Sequence, residues 1–179
     1  TPAELAEYMV NMADLKRVRF VLEPSAGKGD LVKALKNKME YVEYNSYTQK
    51  YGRDVDVDCI EKDGNLRSLL KGAGSRVIYD DFLTFDTLKQ YDLILMNPPF
   101  SEGDKHLLKA LEMMKNGGQI VCLLNAETLK NSYSNSRKKL TRKLEQLEAK
   151  IEYRAGAFNA AERKTMVEVA VIYVDIPAR

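Results

Sequence analysis

Seven apolar or β-branched runs, at residues 18–23, 55–60, 76–79, 91–96, 119–124, 151–153 and 167–174, alternate with stretches of helical periodicity. This alternation constrains the fold more than any other feature of the chain. Leu93-Ile94-Leu95-Met96 is apolar at every position instead of every second one, which suits a strand covered on both faces. Between the runs, Leu31, Val32, Leu35 and Met39, and later Leu107, Leu108, Leu111 and Met114, recur at the spacing of an amphipathic helix. The second of these helices, expected over 105–115, stops at Asn116-Gly117-Gly118. Strands alternating with helices predict an α/β architecture: a doubly wound, mostly parallel sheet with helices on both faces. At 179 residues, 45% hydrophobic and 30% charged, the chain reads as a single domain spanning 1–179 with a sizeable core.

The fourth run ends in Asn97-Pro98-Pro99-Phe100. In open α/β sheets ligands bind where strands end, so this tetrad is delivered to the place where chemistry occurs. Asn97 offers an acceptor oxygen, Pro98 brings a carbonyl and no N–H, and Phe100 offers a face for stacking on a planar ring. Such acceptors suit a flat NH2 group. By drawing on its hydrogens they reduce conjugation with the ring and aim the nitrogen lone pair at an electrophile, with no general base required before attack. The four residues alone equally suit a proline turn that closes a strand.

The first run leads into Glu23-Pro24-Ser25-Ala26-Gly27-Lys28-Gly29-Asp30 and then a helix. Gly27 and Gly29 permit tight turning and close backbone approach, as a nucleoside-type cofactor requires. The loop is neither a Walker loop, which needs Gly-Lys-Ser/Thr, nor the full three-glycine dinucleotide fingerprint. The second run ends in Glu61, where α/β nucleotide folds hold ribose hydroxyls, and the third ends in Asp80-Asp81-Phe82-Leu83. Asp81 suits an adenine amino group, with Phe82 covering the ring. Each carboxylate taken singly also reads as a solvated loop residue, but their recurrence at successive strand ends favours a site.

This ordered set resembles the class I S-adenosylmethionine-dependent methyltransferases. It is most similar to the adenine-specific, amino-directed DNA methyltransferases of the gamma arrangement, whose motif before the cofactor loop is resembled by residues 1–10. The resemblance implies a seven-stranded Rossmann-like methyltransferase fold whose last strand runs antiparallel. It implies that Thr1, Glu23, Pro24, Ala26, Gly27 and Gly29 lie at the methionine end of S-adenosyl-L-methionine, that Glu61 binds the ribose hydroxyls, and that Asp81 and Phe82 meet the adenine. Asn97, Pro98, Pro99 and Phe100 are then the catalytic set. Asn97, also near the cofactor, and Pro98 hold the target amine in line with the sulfonium methyl, and Phe100 stacks on the target base. Residues 157–165 resemble the loop that lines the target-base pocket, with Phe158 opposite Phe100 and Arg163 nearby.

From Thr128 to Lys164 ten Lys or Arg stand against four Glu, a local net charge of +6 on a chain whose total is +2. A helix expected over 135–150 carries Leu140, Leu144 and Leu147 on one stripe and Arg137, Lys138, Lys139, Arg142 and Lys143 in its first half. Lys138, Lys139 and Arg142 are therefore candidate phosphate contacts, although a solvated helix face explains them as well. The tyrosines from Tyr41 to Tyr51, three and four apart, suit packing on a helix. Cys59 and Cys122 fall in apolar runs and read as buried thiols of a reducing compartment. No apolar run approaches about 18 residues and no signal-peptide pattern opens the chain, so the expected location is cytoplasmic, away from membranes. His106 has no His or Cys near it and reads as an ordinary first-turn helix residue, with no metal site.

Gamma-arrangement enzymes usually carry a separate target-recognition domain, and this chain ends shortly after the seventh run. Low selectivity is one expectation; otherwise specificity resides in a partner subunit, a homo-oligomer or a region outside residues 1–179. The start inside a motif, without Met, suggests trimming. Flipping a base from a duplex costs a few kcal/mol, so an unpaired DNA strand is a favoured substrate. Methylation of the adenine amino group in DNA is the leading reading. RNA base amino groups, a protein glutamine amide, and a nucleic-acid or cofactor-binding module without turnover are the alternatives.

Overall fold

The computed structural model describes residues 1–42, 55–155 and 167–179. Seven strands form one sheet in the order β3-β2-β1-β4-β5-β7-β6. They are β1 (Phe20–Glu23), β2 (Asp56–Ile60), β3 (Arg76–Tyr79), β4 (Leu93–Met96), β5 (Gly118–Asn125), β6 (Lys150–Arg154) and β7 (Val169–Ile176). β1 to β5 pair in parallel, while β7 runs antiparallel between β5 and β6. This is the seven-stranded sheet, with its last strand reversed, that the sequence led us to expect.

The uniformly apolar strands are explained by two cores, one on each face. Leu93 and Leu95 of β4 join Val121, Leu123, Val169 and Val171 beneath α1 (Ala3–Met12) and α2 (Asp30–Val42). Ile94 and Met96 point the other way, joining Ile120, Cys122, Leu124 and Ile172 beneath α4 (Gly103–Met113) and α6 (Asn135–Gln146), the latter preceded by the single turn α5 (Glu127–Lys130). A third, smaller cluster seats Leu70 of α3 (Gly64–Gly72) against Ala26, Val32 and Cys59. Because strand side chains alternate with period two, only a strand buried on both sides can be apolar throughout.

Three boundaries differ from the sequence pattern. β1 begins at Phe20, not at residue 18, because the Asp92 carboxylate captures the Arg19 and Phe20 N–H groups at 2.9 and 2.8 Å. α4 begins at Gly103, which lets the helix approach β5 closely: a Cβ there would lie 2.6 Å from Leu124 Cδ2. The basic helix ends at Gln146, short of Lys150. Glu148 turns to φ +53°, and Lys150 leaves to pair with Tyr173 as the first residue of β6.

The amino half of the sheet is tied by Asp58 of β2, only 3% exposed. Its carboxylate accepts from Arg76 Nε at 2.6 Å, Lys89 Nζ at 2.8 Å and Tyr91 Oη at 2.7 Å, which links β2 to β3 and to the approach of β4. Removing one partner of a buried charged cluster strands the others, although Arg76 and Lys89 are partly solvated. Asp58→Ala is expected to lower the unfolding free energy by about 2–3 kcal/mol in urea titration, whereas exposed Glu145→Ala leaves it nearly unchanged.

Candidate functional site

Strand order reverses between β1 and β4, which neighbour each other but lead to opposite halves of the sheet. Such a reversal opens a crevice at the carboxyl ends of the strands. Here it is a cleft of about 520 Å³ lined by Pro24, Ser25 and Gly27 after β1, Glu61 and Lys62 after β2, Asp80, Asp81 and Phe82 after β3, and Asn97, Pro98 and Pro99 after β4. Residues from four separate strand exits are thus gathered, whereas Thr1, Glu23, Ala26, Gly29 and Phe100 do not line the cleft. Glu102 and His106 close the wall from the side of α4.

The glycine loop earns its residues by backbone geometry. Gly27 has φ +57° and Gly29 φ +90°, a region that L side chains seldom adopt, and a Cβ on Gly29 would press on Leu70 at 3.2 Å. Gly27 N–H donates to Glu61 Oε2 at 2.7 Å and Asp63 N–H to Glu61 Oε1 at 3.0 Å, so the buried Glu61 carboxylate is pinned between the loop and α3. Each oxygen keeps acceptor capacity for a hydroxyl.

Glu23, the last residue of β1, is 1% exposed, and its Oε2 has no partner. Burial above all, then the charges of Glu61 and Asp30, holds its carboxyl well above the usual carboxylate range. Ser25 Oγ and His106 Nδ1 are likewise buried without partners. Glu23 immediately precedes the lining residue Pro24, and Ser25 and His106 line the cleft, so every buried partnerless side-chain polar atom among the described residues lies in or next to this one region. Buried polar groups are ordinarily paired, and each exception calls for a cause.

At the β3 end, Asp81 Oδ1 accepts the Leu83 N–H at 3.1 Å and caps a short 3-10 turn. Phe82 forms part of the cleft wall but is 2% exposed, packed on the His106 ring at a centroid distance of 5.6 Å with Lys109 Nζ over its face. Sequence reasoning missed His106. It is the fourth residue of α4, 6% exposed, with its Nε2 3.9 Å from Glu102 Oε2. A lone histidine on an apolar helix pattern has the signature of any core residue; only the fold brings it beside Asp81 and Phe82.

At the β4 end, Asn97 Nδ2 donates to Thr1 Oγ1 at 2.8 Å. The amide is thereby oriented, with Oδ1 left as the acceptor. The Pro99 carbonyl is engaged by the Glu102 N–H at 3.1 Å, while Pro98 is buried beneath the turn and Phe100 is half-buried against the α1 side of the sheet. Thr1 also lies beside Asp30, the first residue of α2.

Lys138, Lys139 and Arg142 are exposed on α6 and do not line the cleft. Phe158 and Arg163, with their loop, and the tyrosine stripe from Tyr44 to Tyr51 lie outside the described residues. Both cysteines are buried; burial pushes the Cys59 thiol up to about 12 and raises Cys122 as well, so neither is a ready nucleophile. A larger groove of about 680 Å³ between α1 and α2 is walled by Ala3, Ala6, Ala34 and charged side chains, without the convergence of strand ends that marks the cleft. No described helix is long and apolar enough to cross a membrane, and among the described residues no cluster of His, Cys, Asp or Glu could hold a metal ion.

The fold is that of the class I S-adenosylmethionine-dependent methyltransferases, which the chain resembles in its motifs too. It is 29% identical, over 182 aligned positions and 89% of its length, to the type II restriction enzyme and methyltransferase RM.BcgI of Heyndrickxia coagulans. The chain spans only 29% of that curated relative. Among solved structures, it superimposes with a TM-score of 0.74 on the methyltransferase subunit of a type I restriction-modification system from Streptococcus thermophilus (18% identity, 98% of this chain, 44% of that one). The 23S rRNA methyltransferase ErmE aligns over 100% of this chain and 70% of its own, at 18% identity and a TM-score of 0.68. No protein-family model matches the sequence.

The raised Glu23 carboxyl has a signed consequence for stability. Its native proton is held to higher pH than the unfolded one, so stability declines as pH rises through the interval between the two values and is already reduced at neutral pH. Glu23→Gln is expected to raise the thermal midpoint at neutral pH, by about 2–4 °C for each kcal/mol relieved, and to flatten its fall between mildly acidic and neutral pH. Differential scanning calorimetry across that range checks both.

Proposed function

We propose that this chain transfers a methyl group from S-adenosyl-L-methionine to the exocyclic amino group of adenine in DNA. The observation that carries the proposal is the Asn97 amide: its Nδ2 is spent on Thr1, which leaves Oδ1 as an acceptor at the edge of a nucleoside-sized cleft.

The cleft fits the cofactor on its own chemistry. Glu23 Oε2 and Ser25 Oγ are buried and partnerless at the loop end, where a cationic amino-acid moiety supplies what they lack. Glu61, already aligned by two backbone N–H groups, suits ribose hydroxyls, and Asp81 and Phe82 suit the adenine. Pro24, Ala26, Gly27 and Gly29 keep the backbone low enough to admit the ligand. When bound, the cofactor supplies an electrophilic methyl group on a sulfonium.

The chain's own contribution is positioning. Asn97 Oδ1 and the Pro98 carbonyl accept both hydrogens of the target amine, pulling its lone pair out of conjugation and aiming it into the cleft. Phe100 stacks on the base, a contact worth about 1–3 kcal/mol, and Pro99 stiffens the turn that holds the group. Orientation of this kind can remove roughly 7–11 kcal/mol from a barrier without any base catalyst. Phosphates are met by Lys138, Lys139 and Arg142, which attract without reading sequence; recognition is left to a partner subunit, a homo-oligomer or a region outside residues 1–179.

DNA is favoured because the curated relative combines restriction with methylation and a structural neighbour is a restriction-modification subunit. RNA is the second reading, supported by the fit to an rRNA methyltransferase over the whole chain. The test supplies methyl-tritiated cofactor with duplex DNA, single-stranded DNA and RNA in separate pools. Label is expected in N6-methyladenine of DNA, reduced about 100-fold or more by Asn97→Ala with S-adenosylhomocysteine affinity kept within about twofold. Label confined to RNA or protein overturns the substrate, and binding without transfer to any polymer overturns the enzymatic reading.

A further inference from the structure

His106 is the buried polar residue of the cleft that the proposed roles do not use. Its Nδ1 is buried and partnerless on a residue that forms the cleft wall, and its ring packs at 5.6 Å on Phe82, beside Asp81. A carboxylate 3.9 Å from Nε2, that of Glu102, favours the proton on that nitrogen and leaves Nδ1 as an acceptor. We propose that His106 is a cofactor-binding residue that accepts a hydrogen bond from the exocyclic amine of the cofactor's adenine and makes the cleft select an aminopurine over an oxopurine.

This rests on the cofactor assignment above and extends it. The amine has two hydrogens, and Asp81, whose Oδ1 already accepts the Leu83 N–H, has an oxygen left for one of them; Nδ1 takes the other. The contact also resolves the unsatisfied nitrogen, which nothing among the described residues does. A neutral ring is required, and burial holds the imidazole below its ordinary value; Glu102 and Asp81 oppose that shift, and Lys109 and Lys62 add to it. Protonation turns Nδ1 from acceptor into donor. The protonated ring has the opposite preference, since an oxopurine presents a carbonyl where adenine presents an amine, so acid erodes the selectivity of the neutral form. Glu61, Lys62, Asp80, Asp81 and Glu102 also line the cleft, so the informative quantity is the ratio of two ligands that share the ribose and the homocysteine and differ only at the purine's hydrogen-bonding edge.

The experiment titrates S-adenosylhomocysteine and S-inosylhomocysteine into the protein by calorimetry at about pH 7.5 and about pH 5. Wild-type protein is expected to favour the adenosyl ligand by about tenfold at the higher pH and to lose preference as acid protonates the ring. His106→Phe keeps a ring against Phe82 and is expected to cut the preference, at both pH values, to the part that Asp81 alone supplies. His106→Asn, whose amide oxygen can occupy the place of Nδ1, restores it and makes it insensitive to acid. A preference unchanged by pH in the wild type, or unchanged in a folded His106→Phe, overturns the inference while leaving the cofactor assignment intact. If the wild type binds neither ligand, the assignment and the inference fall together. The wild-type pH comparison stands even if a variant does not fold.

Discussion

A parallel sheet covered on both faces has nothing to offer a ligand except the ends of its strands. In this protein the central strands are covered in this way: Leu93 and Leu95 are sealed under one helical layer and Ile94 and Met96 under the other. The backbone must leave that dry interior at four neighbouring points on the carboxyl edge, and each exit carries an oxygen-bearing side chain, Glu23, Glu61, Asp81 or Asn97. The reversal of strand order between β1 and β4 keeps those exits from being roofed by a crossover. The cleft, the glycine loop and the amide clamp all follow from that arrangement.

Two buried carboxylates show how differently the molecule treats structure and site. Asp58 has three partners within 2.8 Å and ties strands together. Glu23, equally buried on the adjacent strand, has an oxygen with none. The first is a satisfied network; the second, with Ser25 and His106, is an unfinished one whose open donors and acceptors suit the ligand proposed above. Polar groups left unpaired in a low-dielectric interior cost stability until something binds them. That cost is concentrated where a ligand can repay it.

Much of this was legible beforehand. Uninterrupted apolar runs announced strands buried on both faces, Gly27 and Gly29 announced a turn that side chains seldom adopt, and the position of Asn97-Pro98 after the fourth run announced an amide and a proline at a strand exit. Less was legible where local pattern and tertiary pairing compete. Lys150 continues a helical pattern through Leu147, yet it was captured by the edge of β7. Asp92 drew Arg19 out of β1 by offering its backbone a carboxylate from 73 residues away. His106 carried no motif at all, because its significance is a matter of what lies across from it.

Residue order alone was enough to settle that strands and helices alternate, which segments turn, and which chemical groups sit at strand ends, since each of these depends on neighbours within one helical turn or one strand. Which exits converge, which amide atom is spent on Thr1 and which is left over, and which buried polar atoms remain unpaired required the folded chain. Hydrogen-bond satisfaction and desolvation are properties of groups far apart in sequence and a few ångströms apart in space, so no local reading can supply them.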